Sequence, residues 1–384
     1  MKRILHILPL SRRAGLEVMF LNYLKYMKEV NPELLKYQYV LGINTSEYFK
    51  SELIKLKVTL YEGKRKGKLD YSLISLGKRI IQEKNINIVY GQNTLGNTIA
   101  CFLGILNRNL KVICHEHGGS WNVNGLNKLL TNIWITKAHV IICNSIAASI
   151  LLEQRFNARN SKLKVILNGV IENQKEKIEK ASKRLLFAGR LEEVKSPHTL
   201  IYMMEQLVQK DNQIVLDVIG DGKFEQELKD ITSSYNLNNN IFFHGNVENV
   251  SEFMKQSTLL ILPSVREPLG NVLIEAAFQE TPSVATKIDG IPEVIVHEQT
   301  GILIKPTVEC IKNPGIKYVV NTFKGKLEEP KGIDPKELSD EILTLLSDNR
   351  RLKKMGIKAK EHVSDKFSIE RYYNEVKDIY LSLK

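Results

Sequence analysis

Short runs of Val, Ile and Leu alternate with stretches whose apolar positions recur every three or four residues, and this rhythm persists from Ile4 to the C terminus. Such alternation predicts strands joined by amphipathic crossover helices, the pattern of parallel α/β architecture. In the first half the predicted strands are Arg3–Leu8, Tyr37–Gly42, Lys57–Tyr61, Ile86–Tyr90, Lys111–Cys114, His139–Cys143 and Lys164–Leu167. In the second they are Arg184–Phe187, Ile214–Ile219, Ile241–His244, Leu259–Leu262, Ser283–Ala285 and Gly301–Ile304. Among the helices, Gly15–Val30 places Val18, Leu21, Leu24 and Met27 on one face.

Open twisted sheets rarely exceed about ten strands, so this many predict two domains rather than one sheet. Ile171–Lys183 is polar, charged and free of strand pattern, which makes it the expected linker. The boundaries that follow are 1–173, 174–367 and a closing helix over 368–384. Lys305–Pro335 breaks the rhythm and holds four of the chain's eleven prolines. It is longer than the roughly 12–15 residues usual for a loop in a compact domain. Its centre, Ile316-Lys317-Tyr318-Val319-Val320, reads as an extra strand within an ordered insertion.

Composition narrows the class. Of 384 residues, 43% are apolar and 26% charged, with 23 Gly and 11 Pro, which excludes disordered, fibrous and disulfide-scaffold classes. The cysteines Cys101, Cys114, Cys143 and Cys310 lie far apart with no C-x-x-C, so buried thiols in a reducing cytoplasm are expected. Ile4–Leu10 follows Met1-Lys2-Arg3 as a signal peptide would, but His6, Pro9 and Arg12-Arg13 interrupt it, and it reads as a first buried strand. No apolar run approaches the roughly 18–20 residues of a spanning helix.

Charge adds one asymmetry. Residues 1–173 carry 25 Lys and Arg against 11 Asp and Glu, whereas the remainder carries 30 against 32. A basic first domain suits an anionic partner. Aromatic residues do not interleave with the basic runs, so nucleic acid is not expected. Lys64-Arg65-Lys66-Gly67-Lys68 and Arg12-Arg13 are the clusters most suited to an acidic membrane surface.

Four strand ends carry candidate chemistry. After Leu259–Leu262 comes Ser264-Val265-Arg266-Glu267-Pro268-Leu269-Gly270-Asn271, then an apolar helix containing Glu275. A helix N-terminus at a strand end offers N–H groups and partial positive charge to an anion. Glu267 and Glu275 supply two hydroxyl-accepting carboxylates at different depths, as a polyhydroxylated ligand requires. After Arg184–Phe187 comes Gly189-Arg190-Leu191, with Lys195 five residues beyond Arg190 and Pro197 near the first helical position. A guanidinium fork and an ammonium together suit a diphosphate. The first strand runs into Ala14-Gly15 before a helix, and no G-x-G-x-x-G or P-loop pattern occurs anywhere. Finally, His115-Glu116-His117-Gly118-Gly119 follows the strand predicted to end at Cys114 and is expected to form a polar strand-end loop. No third ligand stands at a metal-binding spacing from its two histidines, so no metal is expected.

In this order, these elements resemble the retaining glycosyltransferases of family 4, which have the two-Rossmann GT-B architecture. The likeness covers essentially the whole chain and is strongest in the E-x7-E pair Glu267 and Glu275, in Gly189-Arg190-Leu191 with Lys195, and in Val218-Ile219-Gly220-Asp221-Gly222. Phe243-His244-Gly245-Asn246-Val247, Cys143-Asn144-Ser145 and Asn168-Gly169-Val170 match further landmarks. The departures are Ala14-Gly15 in place of a Gly-Gly pair, Gln92 in place of a histidine, and the 305–335 insertion.

The resemblance implies two Rossmann-like domains facing a cleft, with the C-terminal helix crossing back to the first. It implies transfer of a sugar from a nucleotide-diphosphate sugar, UDP-sugar favoured, to a hydroxyl of a glycan or lipid-linked acceptor. A metal-independent enzyme of bacterial surface-polysaccharide biosynthesis follows, cytoplasmic or peripheral at the inner membrane face. Arg190 and Lys195 would neutralise the diphosphate, Glu275 would bind the ribose and Glu267 the sugar. Leu269, Gly270 and Asn271 would offer backbone amides, Val247 would seat the base, His117 would line the sugar side, and Gly15 would admit the phosphate. The alternatives are a nucleotide-sugar epimerase on the same fold and a non-catalytic nucleotide-sugar-binding partner of a transferase.

Overall fold

The computed structural model describes residues 1–12, 15–65, 67, 71–172 and 182–383. Arg13, Ala14, Lys66, Lys68 and most of the expected linker lie outside the described residues. The chain forms two compact units, Met1–Ile171 with Phe367–Lys384, and Glu172–Lys366.

The first unit holds β1 (Ile4–Pro9), β2 (Gln38–Ile43), β3 (Thr59–Gly63), β4 (Ile88–Gln92), β5 (Lys111–Glu116), β6 (Val140–Cys143) and β7 (Leu163–Val165). They pair in the order β3-β2-β1-β4-β5-β6-β7, and every pairing is parallel. The second unit holds β8 (Arg184–Ala188), β9 (Val215–Ile219), β10 (Ile241–Gly245), β11 (Leu259–Leu262), β12 (Ser283–Thr286) and β13 (Gly301–Ile304). Their order is β10-β9-β8-β11-β12-β13, again wholly parallel. Strands covered by helices on both faces are apolar throughout, which is why β1 and β11 read as continuous runs: Ile4, Leu5, Ile7 and Leu8, like Leu259 to Leu262, are wholly buried.

The helix Gly15–Val30 buries a wider face than its heptad-like spacing predicts. Met19, Phe20 and Tyr23 are buried beside Leu21, Leu24 and Met27, while Val18 is only half-buried. The extra coverage comes from the C-terminal helix Ile369–Ser382, which returns to the first unit. Tyr23 meets Tyr372 edge-on at 5.6 Å, and its hydroxyl donates to that of Tyr380 at 3.3 Å. The Val170 N–H donates to the Phe367 carbonyl at 2.9 Å, and the Arg371 guanidinium donates to the Leu167 carbonyl at 2.5 Å. Gly169 makes that return possible: a Cβ there would stand 2.6 Å from Cβ of Tyr372 and 3.0 Å from Cα of Ile369.

The insertion is ordered, but not as the predicted Ile316–Val320 strand. Instead β14 (Val319–Asn321) and β15 (Lys326–Glu328) pair as a short antiparallel hairpin. Ile316 and Lys317 precede it as irregular backbone.

Candidate active site

In open parallel sheets, ligands bind beyond the carboxyl ends of the strands, where the strand order reverses. The second sheet reverses between β8 and β11. Those are the strands that carry the cationic and the acidic motif. Main-chain hydrogen bonds tie the loops along this edge to one another. Gly220 N–H donates to Gly245 O at 2.8 Å, Leu191 N–H to Asp221 O at 2.8 Å, Val265 N–H to Val194 O at 2.9 Å, and Gly290 N–H to Glu267 O at 3.1 Å. Five strand-end loops therefore form one continuous backbone ledge.

On this ledge the structure joins Lys195 and Glu267: the Lys195 ammonium donates to the Glu267 carboxylate. Lys195 ends the 3-10 turn Glu193–Lys195, and Ser196 behind it is left-handed at φ +47°. Glu267 is only 8% exposed, so the pair is screened far less than a surface ion pair. Pro197 stands one residue before the helix His198–Lys210 rather than inside its first turn, because the 3-10 turn occupies the connection. Arg190 is not part of the pair. Its guanidinium is about half exposed and holds Glu192 at 2.6 Å.

The helix Asn271–Phe278 begins at Gly270, whose φ of +94° is a backbone conformation that side-chain-bearing residues avoid. A Cβ at Gly270 would also stand 2.9 Å from the Leu273 side chain and 3.3 Å from that of Glu267. The turn therefore delivers the helix N-terminus, with its partial positive charge, beside the Glu267 carboxylate. Leu269 is buried beneath it. One turn into the helix, Glu275 differs from Glu267. Its side chain reaches solvent, yet the protein crowded around it pushes its carboxyl up to about 7. Val247 is half-buried in the loop after β10, where the Asn246 amide donates to Asp221.

One residue here escapes the sequence reading. Asp289 is wholly buried, and its two carboxylate oxygens accept from Glu267 N–H at 2.8 Å and from Val320 N–H at 2.6 Å. Its own N–H donates to Val320 O at 2.9 Å. Burial pushes the Asp289 carboxyl up to about 6, against the opposing pull of those two backbone donors. Asp289 thus positions the Glu267 backbone and fastens the β14–β15 hairpin to the same ledge.

The first sheet reverses between β1 and β4. Gly15 opens the helix after β1, and Gln92 closes β4 as a buried side chain. The expected polar loop at His115–Gly119 needs correction. His115 and Glu116 continue β5, paired with Gln92 and Cys143, and both are wholly buried. Tertiary partners make this possible: Tyr90 Oη lies 2.7 Å from His115 Nδ1, and Glu116 accepts from Gly118 N–H at 2.7 Å and Ser120 N–H at 3.0 Å. His117 follows the strand, half-buried, with its ring 3.8 Å from that of His115 and its Nε2 without a hydrogen-bond partner among the described residues. Burial pushes the His117 imidazole down to about 3. It is therefore neutral near pH 7, able to form a hydrogen bond but not to act as an acid. Among the described residues, no group of three or more His, Cys, Asp or Glu side chains is placed to hold a metal ion.

Comparison with known proteins gives the same grouping. Residues 14–174 match the family described as Glycosyltransferase Family 4, and residues 170–313 match Glycosyl transferases group 1. The chain is 23% identical over 328 residues to N-acetyl-alpha-D-glucosaminyl L-malate synthase of Bacillus anthracis, covering 81% of this chain and 78% of that one. It is 24% identical over 195 residues to the capsular polysaccharide biosynthesis glycosyltransferase CapM of Staphylococcus aureus, covering 50% of this chain and 44% of that one. The crystal structure of Anabaena HepE in complex with UDP and glucose superposes with a TM-score of 0.80 at 18% identity, covering 100% of both chains. The reversed parallel sheets, the motifs at their strand ends and these matches together make the chain a GT-B glycosyltransferase of family 4.

Proposed function

We infer that this enzyme moves a sugar from a nucleoside-diphosphate sugar, a UDP-sugar by preference, to a hydroxyl of a glycan or lipid-linked acceptor, with retention at the anomeric carbon. The observation that carries this reading is the shielded Lys195–Glu267 pair beside a helix N-terminus at the reversal of the second sheet. The ammonium turns from Glu267 to the donor diphosphate, joined by Arg190 when its guanidinium leaves Glu192. Together they stabilise the leaving group as its charge grows. Amides at Leu269, Gly270 and Asn271 meet phosphate or sugar oxygens, Glu267 holds the sugar ring, Glu275 takes the ribose hydroxyls, and Val247 seats the base. In the first unit, Gly15 and His117 stand at the strand ends that the family resemblance assigns to the phosphate and the sugar.

In the chemical step the acceptor oxygen bonds to the anomeric carbon and the carbon–phosphate oxygen bond breaks. The acceptor proton passes to the leaving phosphate. Attack from the leaving-group face gives retention without a side-chain nucleophile. The name of the Staphylococcus relative supports a role in bacterial surface-polysaccharide biosynthesis, and the UDP and glucose held by HepE support the donor class. No helix among the described residues is long and apolar enough to cross a membrane. The proposed lipid-linked acceptor is met at the inner membrane face, the location that the family resemblance implies.

Incubation with a panel of nucleotide sugars and a lipid-linked acceptor in EDTA tests the reading. Transfer is expected to proceed, giving a product with the donor's anomeric configuration by proton NMR, while donor alone is not isomerised. An inverted product, or activity lost in EDTA and restored by magnesium, contradicts it.

A further inference from the structure

The insertion that departs from the family pattern is fastened beside Glu267. Its base closes where Thr307 N–H and Val308 N–H donate to Gly332 O at 3.0 and 3.2 Å. Lys312 pairs at 2.7 Å with Glu227, in the helix Glu225–Ser234 that follows β9. The β14–β15 hairpin then reaches the loop after β12, where Asp289 accepts from both Val320 N–H and Glu267 N–H. The hairpin therefore stands two hydrogen bonds from the Glu267 backbone, at the carboxyl edge of the second sheet.

Its turn presents one aromatic ring. Phe323 is 68% exposed, and from Val319 to Glu328 it is the only exposed large apolar side chain among the described residues. The turn is braced from within. Asn321 Oδ1 accepts from Lys324 N–H at 3.2 Å, Asn321 Nδ2 donates to Glu328 at 3.1 Å, and the Lys324 ammonium donates to the same carboxylate at 2.9 Å. Val319 and Val320 are buried and anchor the first strand. The ammonium of Lys287, the residue after β12, lies over the Phe323 ring, 4.4 Å from its centroid. Cation–π attraction holds the ring there, and a ring fixed in advance loses little freedom when a ligand packs on it.

Size and charge identify the occupant. A protein interface covers about 1,000 Å² or more, far beyond a lone ring. One pyranose matches it, because the C–H face of a sugar is weakly positive and packs on the negative face of an aromatic ring. Lys287 and Lys326 are exposed and have no ion-pair partner among the described residues. The carboxylates nearby do not oppose them: Glu328 is taken up by Lys324 and Asn321, Asp289 is buried, and Glu329 follows β15, away from the turn. The surface around Phe323 is therefore positive, which selects an anionic sugar over a neutral one.

We propose that Phe323, with Lys287 and Lys326, forms a subsite for an acidic sugar unit of the acceptor glycan. The sugar stacks on the open part of the ring, and the two ammonium groups meet its carboxylate or phosphate. The proposal deepens the transferase reading and rests on it, but its test measures binding alone. UDP affinity, titrated separately, reports the donor site, so the failure of one reading is told apart from the failure of the other.

The test is saturation-transfer NMR titration of the full chain, with saturating UDP present to fill the donor site. The probes are a hyaluronan tetrasaccharide, which carries carboxylates, glucose 6-phosphate, and neutral chitotetraose. Wild type is expected to bind an anionic probe more tightly than chitotetraose, and the tighter of the two identifies the anion. Phe323→Ala should melt as wild type does, because the side chain is exposed, yet bind that probe about tenfold more weakly. Phe323→Tyr should bind as wild type does, and Lys287→Gln should lose the preference for the anionic probe. Three results overturn the proposal: no binding of either anionic probe, equal binding by Phe323→Ala, or displacement of the sugar by an equal concentration of decaglutamate peptide, which would make the surface a general anion site.

Discussion

Replacing Lys195 with Met is expected to lower kcat by about 10²–10³, the usual consequence of removing one preorganised charge from a developing anion. The same change leaves Glu267 without its cation in a site where only 8% of the residue is exposed. An uncompensated buried carboxylate costs about 3–5 kcal/mol of stability, so Lys195→Met alone mixes lost chemistry with lost fold. Comparing the double variant Lys195→Met/Glu267→Gln with Glu267→Gln alone separates them, because neither leaves an unpaired buried carboxylate. The double variant should recover most of the melting temperature lost by Lys195→Met, yet turn over about 10²–10³ more slowly than Glu267→Gln. Equal turnover by the two would reduce Lys195 to a structural cation.

The two carboxylates should fail in different ways. In the proposed role, Glu275 contacts ribose hydroxyls alike in ground and transition states, so Glu275→Ala should weaken donor binding about ten- to a hundredfold with little change in kcat. With Glu267 at the sugar, as proposed, Glu267→Gln keeps the shape but loses a charge whose contact tightens as the ring flattens, so kcat should fall with the donor dissociation constant nearly unchanged. Glu275 adds a pH signature. Its carboxyl sits up near 7 in the free protein, and accepting from a hydroxyl favours the charged form. Below about 7 binding must therefore release a proton, and affinity should fall as pH falls from 8 to 6. Glu275→Gln should flatten that dependence. Calorimetric titration of UDP checks both, and identical binding by wild type and Glu275→Ala would remove Glu275 from the ribose.

The parallel strands of both sheets were legible in the sequence to within about two residues, because most are short apolar runs buried on both faces, with only the edge strands β3, β7 and β10 partly exposed. The hairpin was less so. β15 is Lys326-Leu327-Glu328, three residues with one apolar side chain, and it holds through its partner β14 rather than through propensity. The strand order was not legible at all, since crossover helices leave the neighbour of a strand open, and with it the reversal that sets β8 beside β11. Lys195 and Glu267 were legible as motifs, but not as partners. Asp289 was missed for the same reason. Asp289-Gly290 after an apolar strand reads as an ordinary turn, and the donor that fixes its carboxylate, Val320, lies 31 positions further along. His115 and Glu116 misled because polar letters after an apolar run read as loop. The burial of both rests on Tyr90, Asn97 and Ser120, residues the local pattern does not connect to them.

The central claim is that the donor nucleotide binds on the ledge at the carboxyl ends of the second sheet. Hydrogen–deuterium exchange with and without saturating UDP, in EDTA, tests it most directly. The account predicts slowed exchange in the loops after β8 and β10 and at Leu269–Asn271, where the helix N-terminus meets the phosphates. Saturable UDP binding that leaves exchange in those loops unchanged would contradict it.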